Sequence, residues 1–216
     1  VRGNAYDGIA SKDTLTIDSG VITVNAVDDG IRGKDFLRTN GGTITVTSGA
    51  AGLKSTNDAD AGLGYVTVAG GTITVTAGGD CVNAITAVNV TGGTQNLACT
   101  DDAVHADGTV TISAGTVTVT RSYEAIEGLK VYVTGGTVTV TSTDDAINAV
   151  EDGINEFAVS ANALISVTGG TMVVTSGVDG FDSNGTITFG GGTVVVNGPS
   201  VTSPGEGALD AKSLEL

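Results

Sequence analysis

The 216-residue sequence has no tryptophan, 2 prolines, 2 cysteines, 1 histidine and only 9 lysine and arginine residues. Without tryptophan, the chain cannot build the broad aromatic platform that binds a crystalline polysaccharide. The 9 basic residues stand against 24 acidic ones, which gives a formal net charge of -15. Phosphate binding needs clustered Lys and Arg in excess, so nucleic acid is excluded as a partner. The one histidine, His105, has no Ser or Cys at a telling spacing, and we interpret it as a solvated or hydrogen-bonded strand residue.

Glycine, threonine and valine dominate the sequence, with 34, 33 and 29 residues. Threonine and valine are β-branched and favour strands, while glycine serves turns, so the composition predicts an all-β chain. Two long uncharged stretches, 81–100 and 157–178, contain Gly-Gly-Thr and alternate polar with apolar residues. This pattern predicts strands and turns, and no membrane span. The first residues contain no signal peptide, which we expect to be removed or to lie outside this sequence.

A repeat of 22 residues runs along the whole chain. The segment Gly-Gly-Thr-Ile-Thr-Val-Thr at 41–47 recurs with drift, and a large apolar residue lies five before and eleven after its second glycine. That second glycine falls at Gly20, Gly42, Gly71, Gly93, Gly115, Gly136, Gly170 and Gly192. Extra residues interrupt the period near 56–62 and 150–162, where we expect projecting loops.

This period predicts a single-stranded right-handed parallel β-helix with about 22 residues per rung and 8–9 rungs. Stacking would place Ile44 under Ile73 and Val117 under Val138. A β-propeller blade needs about 40 residues, which the period does not supply. We expect residues 1–216 to form one domain, as a fragment of a longer chain, and to be monomeric with end-to-end contacts possible at the open ends.

The large apolar residue eleven positions after each repeat glycine is Ile31 in the case of Gly20. In nearly every rung an acidic residue lies two positions before this apolar residue, and these acidic residues form a predicted acidic ridge. Its members are Asp7, Asp29, Asp80, Asp102, Glu124, Asp145 and Asp179, with Ala51 the exception. Stacked carboxylates repel one another, and Ca²⁺ would relieve the repulsion, because it takes six to eight oxygen ligands. The alternative is that Asp favours these turns by bonding its own backbone. The predicted metal ligands on the ridge are Asp28, Asp29, Asp80, Asp101, Asp102, Asp144 and Asp145.

The inserted loop at 56–62 is a second candidate for calcium. Asn57, Asp58 and Asp60 place oxygen ligands ahead of a glycine, although the distal Glu of an EF-hand is missing. A solvated polar loop is the alternative.

Basic residues concentrate in the first quarter of the chain, where Lys12, Arg32, Lys34 and Lys54 are candidates for binding an anionic ligand. The alternative is that Lys12 and Lys34 pair with their acidic neighbours. Tyr123 lies in a turn equivalent to that of Tyr6 and is a candidate for stacking on a sugar, with turn packing as the alternative.

Two further features leave alternatives open. Outward threonines two apart form a hydroxyl and methyl array of the kind used by β-helical ice-binding proteins, and strand propensity on a solvated face explains the same pattern. Cys81 and Cys99 enclose 17 residues and stack about one layer apart, so a disulfide and two buried thiols are both consistent with the sequence.

Several runs together resemble a known family. They are Asp-Asp-Gly-Ile-Arg-Gly-Lys-Asp-Phe-Leu (28–37), Gly-Gly-Thr-Ile-Thr-Val-Thr (41–47), Arg-Ser-Tyr-Glu-Ala-Ile-Glu-Gly (121–128), Phe-Asp-Ser-Asn-Gly-Thr-Ile-Thr (181–188) and Val-Val-Val-Asn-Gly-Pro (194–199). The chain is similar over nearly its whole length to secreted bacterial β-helix proteins described as carbohydrate-binding domain-containing, of the cellulose- and acid-sugar-binding type. It departs from them at Ala51 and in the loop at 151–162.

The resemblance implies a shape related to pectate lyases, bound calcium, and affinity for plant cell-wall polysaccharide, including polygalacturonate. It implies no established catalysis, and it carries the acidic turns and the loop at Asn57, Asp58 and Asp60 over as calcium sites. We therefore expect a secreted or cell-surface, non-catalytic, calcium-stabilised protein that binds acidic or cellulosic polysaccharide. One alternative is a calcium-dependent polysaccharide lyase with Arg32 or Lys54 as base. Another is a structural adhesin repeat or an ice-binding β-helix.

Overall fold

The computed structural model describes residues 1–151, 153–154, 158–202 and 207–216, and these residues form strands and turns without a helix. No helical segment that could cross a membrane occurs in these ranges. The strands are β1 (Arg2–Gly3), β2 (Ile9–Ser11), β3 (Thr14–Ile17), β4 (Val21–Ala26), β5 (Ile31–Gly33), β6 (Phe36–Thr39), β7 (Thr43–Ser48), β8 (Leu53–Ser55), β9 (Tyr65–Val68), β10 (Thr72–Ala77), β11 (Val82–Ala84), β12 (Ala87–Ala98), β13 (Val104–Arg121), β14 (Ile126–Val133), β15 (Thr137–Thr141), β16 (Ile147–Ala149), β17 (Leu164–Val167), β18 (Thr171–Thr175), β19 (Phe181–Phe189), β20 (Thr193–Asn197) and β21 (Leu209–Glu215).

Each strand pairs in parallel with strands one sequence repeat away. Strand β7 lies between β4 and β10, so Ile44 is opposite both Ile22 and Ile73. Val117 on β13 is likewise opposite Val138 on β15. The predicted stacking of these residues is confirmed, and the 22-residue period is therefore the register of hydrogen bonding between successive repeats.

Burial alternates along the strands because successive side chains of a strand point to opposite faces. In β7 the residues Ile44 and Val46 are buried, while the threonines between them are exposed. The inward side chains of all repeats join one core of aliphatic residues. Phe181 is the largest buried side chain, and its ring meets Phe189 edge-on at 5.3 Å between ring centroids. The low aromatic content thus corresponds to a narrow interior filled by Val, Ile and Leu.

The glycine that recurs at the Gly42 position of each repeat has a φ in the left-handed region. Gly115 has a φ of 89°, and a Cβ added there would lie 2.7 Å from the carbonyl carbon of Gly92 in the preceding repeat. Gly20 has a φ of 109°, but an added Cβ would meet nothing within 4 Å. Glycine is therefore required for its conformation at both turns, and for close stacking of repeats at Gly115.

Outward threonines form in-register ladders across repeats, as the sequence predicts. One ladder contains Thr43, Thr72, Thr94, Thr116, Thr137, Thr171 and Thr193. The exposed positions of this face, in β4, β7, β10, β15, β18 and β20, contain no charged residue. The negative charge of the protein must therefore lie on other faces.

Cys81 and Cys99 are free and buried, so the structure contains two thiols in place of a disulfide. A hydrogen bond with Cys99, together with burial, raises the pKa of the Cys81 thiol above its ordinary value. The Cys81 thiol is therefore protonated at neutral pH, and both cysteine side chains are shielded from solvent.

The second predicted insertion, at 150–162, lies partly outside the described residues. Within the described part, Glu151 accepts hydrogen bonds from the Asn162 side-chain amide, at 3.2 Å and 3.3 Å, and from the Ser160 hydroxyl. These contacts join the two ends of the insertion.

Candidate functional site

The acidic ridge lies just before the start of strands β2, β5, β11, β13, β14, β16 and β19. Its side chains are held close to the core: Asp29 is 5 % exposed, Asp102 7 % and Glu124 8 %. Each ridge residue comes two positions before a large apolar residue that begins one of these strands, and all of these apolar residues except the half-buried Ile9 are buried. The sequence therefore places a row of carboxyl groups beside the apolar interior.

Ridge aspartates bind the backbone of the following repeat through one carboxylate oxygen. Asp29 Oδ1 accepts the N–H of Ala51 at 3.1 Å, and Asp80 Oδ1 accepts the N–H of Asp102 at 3.1 Å. The N–H of Asp179 donates to Asp145 Oδ1 at 2.8 Å. We call this contact the carboxylate clamp. The clamp gives the acidic column a structural role. The aspartates bond the backbone of the next repeat, whereas the alternative in the sequence analysis had them bond the backbone of their own turn.

A second column runs beside the ridge, three residues later in each repeat. This flanking column contains Ala10, Arg32, Lys54, Asn83, His105, Glu127, Asn148, Asp182 and Asp210. Its members contact the ridge: Asn83 Nδ2 donates to Asp80 Oδ2 at 2.6 Å, and Asn148 Nδ2 donates to both Glu124 oxygens at 3.1 Å. Ridge and flanking column therefore form one continuous polar surface.

Charge on this surface is balanced at one end and unbalanced at the other. In the first repeats Arg32 Nη2 lies 2.6 Å from Asp7 Oδ2, and Lys54 Nζ lies 3.2 Å from Asp29 Oδ2. In later repeats the flanking column turns acidic, with Glu127, Asp182 and Asp210. The basic residues of the first quarter thus neutralise their own part of the ridge, and the excess negative charge collects in the C-terminal half.

Replacing Lys54 with methionine is expected to lower the free energy of unfolding by about 1–2 kcal/mol. Methionine keeps most of the aliphatic stem but leaves the buried Asp29 carboxylate with Arg32 alone, at 4.0 Å. Urea denaturation at pH 7 measures the change. Lys12→Met, at an exposed site, is the matched control and should change stability by less than about 0.5 kcal/mol. Equal effects of the two substitutions would show that the ion pair between Lys54 and Asp29 contributes nothing to stability.

The predicted ligand-binding residues are dispersed. Arg32 and Lys54 lie together on the flanking column in the ion pairs described above, whereas Lys12 and Lys34 are exposed elsewhere. Tyr123 is 49 % exposed in its turn beside the C-terminal half of the ridge. A hydrogen bond with Asp144 and the charge of that residue raise the pKa of Tyr123 to about 12. The structure therefore places Tyr123 about three repeats away from Lys54, apart from the four basic residues of the first repeats.

The predicted calcium ligands are partly brought together. In the described part of the chain, ligand atoms approach within 4.8 Å in four groups: Asp7, Asp28 and Asp29; Asp80, Asp102 and His105; Asp102, Glu124 and Glu127; and Asp179, Asp182 and Asp210. Asp101, Asp144 and Asp145 belong to none of these groups. His105, Glu127, Asp182 and Asp210 stand in these groups although the sequence interpretation did not name them as metal ligands. Their signal was the three-residue spacing between ridge and flanking column.

The inserted loop at 56–62 is held by its own hydrogen bonds. Asn57 is buried, its Oδ1 accepts the N–H groups of Ala59 and Asp60 at 3.0 Å, and its Nδ2 donates to Asp35 at 2.8 Å. Asp58 is exposed and Asp60 receives a weaker contact from Asn57 Nδ2 at 3.3 Å. The Asn57 oxygen is thus used to fold the loop.

Crowding of acidic groups changes their protonation along the ridge. Burial, reinforced by the charges of Glu127 and Asp80, raises the pKa of Asp102 to about 7. Burial also raises the pKa of Asp145 to about 7, assisted by the charge of Asp182. Burial and a hydrogen bond with Glu127 raise the pKa of Glu124 well above its ordinary value. Burial and mutual repulsion therefore keep some of these carboxyl groups protonated at neutral pH.

His105 is surrounded by these carboxylates. Burial lowers the pKa of His105, but the neighbouring carboxylates of Asp80, Glu127 and Asp102 outweigh burial and raise the pKa to about 9. Burial raises the pKa of Asp80, but the nearby His105 imidazole and the hydrogen bond from Asn83 outweigh burial and lower that pKa. His105 is therefore protonated at neutral pH, and its positive charge faces the carboxylates of Asp80, Asp102 and Glu127.

An open cleft of about 750 Å³ runs over the C-terminal half of the two columns. Its lining includes Tyr123, Asn148, a single cation, Lys212, and six carboxyl groups, those of Glu124, Asp144, Asp145, Asp179, Asp182 and Asp210. An exposed aromatic ring beside carboxylate and amide groups offers both a stacking surface and hydrogen-bond partners for hydroxyl groups. The fold and the cleft together define an all-β repeat protein with a surface suited to carbohydrate.

A family model agrees with this class. The model described as "Carbohydrate-binding domain-containing protein" matches residues 1–152 and 97–213. The chain belongs to that family, and membership supports carbohydrate binding without catalysis. Comparisons with curated proteins and with solved structures gave no match.

Proposed function

We propose that the protein is a single right-handed parallel β-helix that binds acidic plant cell-wall polysaccharide, such as polygalacturonate, through calcium ions held in the cleft. The parallel pairing of strands one repeat apart supports the β-helix, and parallel connections are right-handed in nearly all known cases. Carbohydrate of this kind is met outside the cell, so the proposal includes a secreted or cell-surface protein.

The observation that carries the proposal is the charge of the cleft. Six carboxyl groups and one lysine would repel a polyanion on their own. A divalent cation between protein carboxylates and sugar carboxylates changes the repulsion into attraction, because Ca²⁺ accepts oxygen ligands from both. Binding of an acidic sugar at this surface therefore requires calcium.

The side chains of the cleft fit a calcium ion. Asn148 is 8 % exposed, and its Oδ1 has no hydrogen-bond partner among the described residues. A buried oxygen that accepts no hydrogen bond and lies beside carboxylates is suited to coordinate a calcium ion. The clamp uses one oxygen of Asp145, which leaves the second available for a cation. We include the predicted ridge ligands Asp28, Asp29, Asp80, Asp101, Asp102, Asp144 and Asp145 in the proposal as further positions.

A cellulosic chain is the second candidate ligand. The exposed ring of Tyr123 can stack on a neutral sugar, and the carboxylates accept hydrogen bonds from its hydroxyl groups without a metal ion. The two candidates differ in their need for calcium, which makes them experimentally separable.

We include no catalytic step. A lyase needs an unprotonated base, and the two basic residues considered for that role, Arg32 and Lys54, contact the carboxylates of Asp7 and Asp29. These ion pairs occupy the nitrogen atoms that would have to accept the proton. Ultraviolet absorbance of unsaturated product after incubation with polygalacturonate and calcium checks this, and we expect none.

Migration of the protein in gels cast with polygalacturonate is expected to be retarded with calcium and unretarded with a chelator. Tyr123→Ala and Asp182→Asn should each weaken retention severalfold, because they remove the stacking ring and a cleft carboxylate. Tyr6→Ala is the matched control, since Tyr6 occupies the equivalent turn of the first repeat, is 77 % exposed and lies outside the cleft lining.

Gels with hydroxyethyl cellulose separate the two ligands. Retention there that is indifferent to the chelator would establish the neutral sugar as the ligand. Unretarded migration in both gels, with calcium present, would overturn carbohydrate binding at the cleft.

A further inference from the structure

We propose that Asp80, Asp102 and His105 form a binding site for a divalent transition metal such as Zn²⁺, which lies outside the cleft and takes the place of calcium at Asp80 and Asp102. The three side chains come from two adjacent repeats, and their ligand atoms lie within 4.8 Å of one another. None of the three lines the cleft. The site therefore extends the metal chemistry of the protein beyond hard, oxygen-binding cations.

The imidazole faces both carboxylates through one nitrogen. His105 Nδ1 lies 3.8 Å from Asp80 Oδ2 and 3.7 Å from Asp102 Oδ2. These separations are long for hydrogen bonds. A tetrahedral ion with bonds of about 2.0–2.2 Å holds its ligand atoms about 3.3–3.6 Å apart, so each of these two distances is within a few tenths of an ångström of coordination geometry.

The carboxylate clamp leaves the right oxygens for a metal. Asp80 Oδ1 accepts the N–H of Asp102, and Asp102 Oδ1 accepts the N–H of Glu124 at 3.2 Å. In both residues it is the other oxygen, Oδ2, that faces His105. Each aspartate is thus oriented by the backbone as a ligand that offers a single oxygen, and Asn83 supports Asp80 Oδ2 by a hydrogen bond at 2.6 Å.

The second imidazole nitrogen has the support that metal-binding histidines commonly use. His105 Nε2 lies 3.6 Å from Glu127 Oε1 and 3.7 Å from Asp107 Oδ1. A small shift that closed either distance to hydrogen-bond range would fix the orientation of the ring and strengthen the near nitrogen as a ligand.

The chemistry of the ligands selects the metal. Calcium takes oxygen ligands, whereas an imidazole with carboxylates suits Zn²⁺ and other late first-row ions. Three protein ligands leave a fourth position for water, and the His105 side chain is 21 % exposed, so an ion can enter from solvent. Elsewhere in the flanking column the equivalent positions Asn83 and Asn148 lack an imidazole, so the structure assigns this preference to one repeat.

Titration of tag-free, chelator-treated protein with ZnCl₂ in a calorimeter, with millimolar calcium present throughout, tests the proposal. We expect one ion per chain, and affinity at least about tenfold weaker in His105→Asn and in Asp102→Asn. Asparagine occurs naturally at the equivalent flanking positions, which makes the first substitution compatible with the fold. Asp13→Asn, at an exposed carboxylate, should bind zinc as the unmodified protein does.

Nuclear magnetic resonance of the unmodified protein gives a measurement that no variant can confound. His105 is the only histidine, so its imidazole signals are assigned without ambiguity. Zinc should move the Nδ1 resonance into the range of a metal-bound nitrogen at one equivalent. Unchanged imidazole signals, or zinc affinity equal in His105→Asn and the parent, would overturn the site, whatever the outcome of the polysaccharide experiments.

Discussion

Substitution of Gly115 by alanine is expected to lower the free energy of unfolding by about 4 kcal/mol or more, several times the effect of the same change at Gly20. Both glycines have positive φ, so alanine costs about 1–2 kcal/mol in backbone conformation at either position. Only at Gly115 would the new methyl group also meet the backbone of the preceding repeat, at 2.7 Å from Gly92. A loss of this size is a large part of the 5–15 kcal/mol that typically stabilises a protein.

Denaturant unfolding followed by circular dichroism measures both variants. Gly20→Ala is a matched control, since it shares the turn and the conformation but has open space where the Cβ would lie. Similar losses in the two variants would show that stacked turns relax around a methyl group, and would remove close approach as the reason for glycine. If Gly115→Ala does not fold, its yield relative to Gly20→Ala gives the same ranking.

Metal-stripped protein is expected to lose about 3 kcal/mol of stability between pH 5 and pH 9, opposite to the usual behaviour of carboxylates in folded proteins. Asp102 and Asp145 have pKa values of about 7, above the ordinary 3.8. A group whose pKa is higher in the folded state contributes stability that is full below the unfolded pKa and is lost as pH rises through the folded pKa. These two carboxyl groups therefore stabilise the fold near pH 4 and cease to do so above pH 7.

Deprotonation of His105 also lowers the stability of the fold as pH rises, but at higher pH than that of the two aspartates. Its pKa rises from 6.5 to about 9, so its contribution is complete below pH 6.5 and is lost as pH passes 9. Asp80, with a lowered pKa, contributes stability above its ordinary 3.8 and loses it only in stronger acid, outside this window. We expect less than the full shifts would give, because Asp145 borders the open cleft, where water screens its charge.

Urea denaturation at pH 5, 7 and 9 in the presence of a chelator measures the slope. Asp102→Asn combined with Asp145→Asn should flatten it between pH 5 and 7, since the amides do not titrate, while Asp13→Asn should leave it unchanged. Millimolar calcium should raise stability most at pH 9, where the carboxylates are ionised and the cation competes with no proton. Stability that increases from pH 5 to pH 9 without metal would contradict the crowding of charge described for the ridge.

The repeat was predictable because glycine, aliphatic and acidic residues recur at fixed spacing, and a strand pairing shifted by one residue would expose the whole core face. The stacking of Ile44 on Ile73 and the acidic column followed from that spacing alone. The sequence also suggested calcium in the loop at 56–62, where the structure uses the Asn57 oxygen for backbone contacts. Hydrogen bonds inside a loop depend on its particular path, which composition does not specify.

The relation between the ridge and the flanking column was harder to predict. Both columns are visible in the sequence, but their side chains meet across two repeats, as Arg32 meets Asp7 and Asn148 meets Glu124. Without that geometry, Arg32 and Lys54 looked available for an anionic ligand, and His105 looked like an isolated strand residue. The cleft depends on the same relation, since its carboxyl groups come from both columns.

The carboxylate clamp has a consequence for how such a chain changes length. The acceptor at Asp80 and the donor at Asp102 are one period apart, and Asp102 is itself the acceptor for the next period. A duplicated segment of one period would therefore carry with it both halves of the connection to its neighbours. Duplication of the period between Asp80 and Asp102 would therefore add a whole repeat with its junctions already bonded, whereas a gain or loss of part of a repeat would break this series of hydrogen bonds.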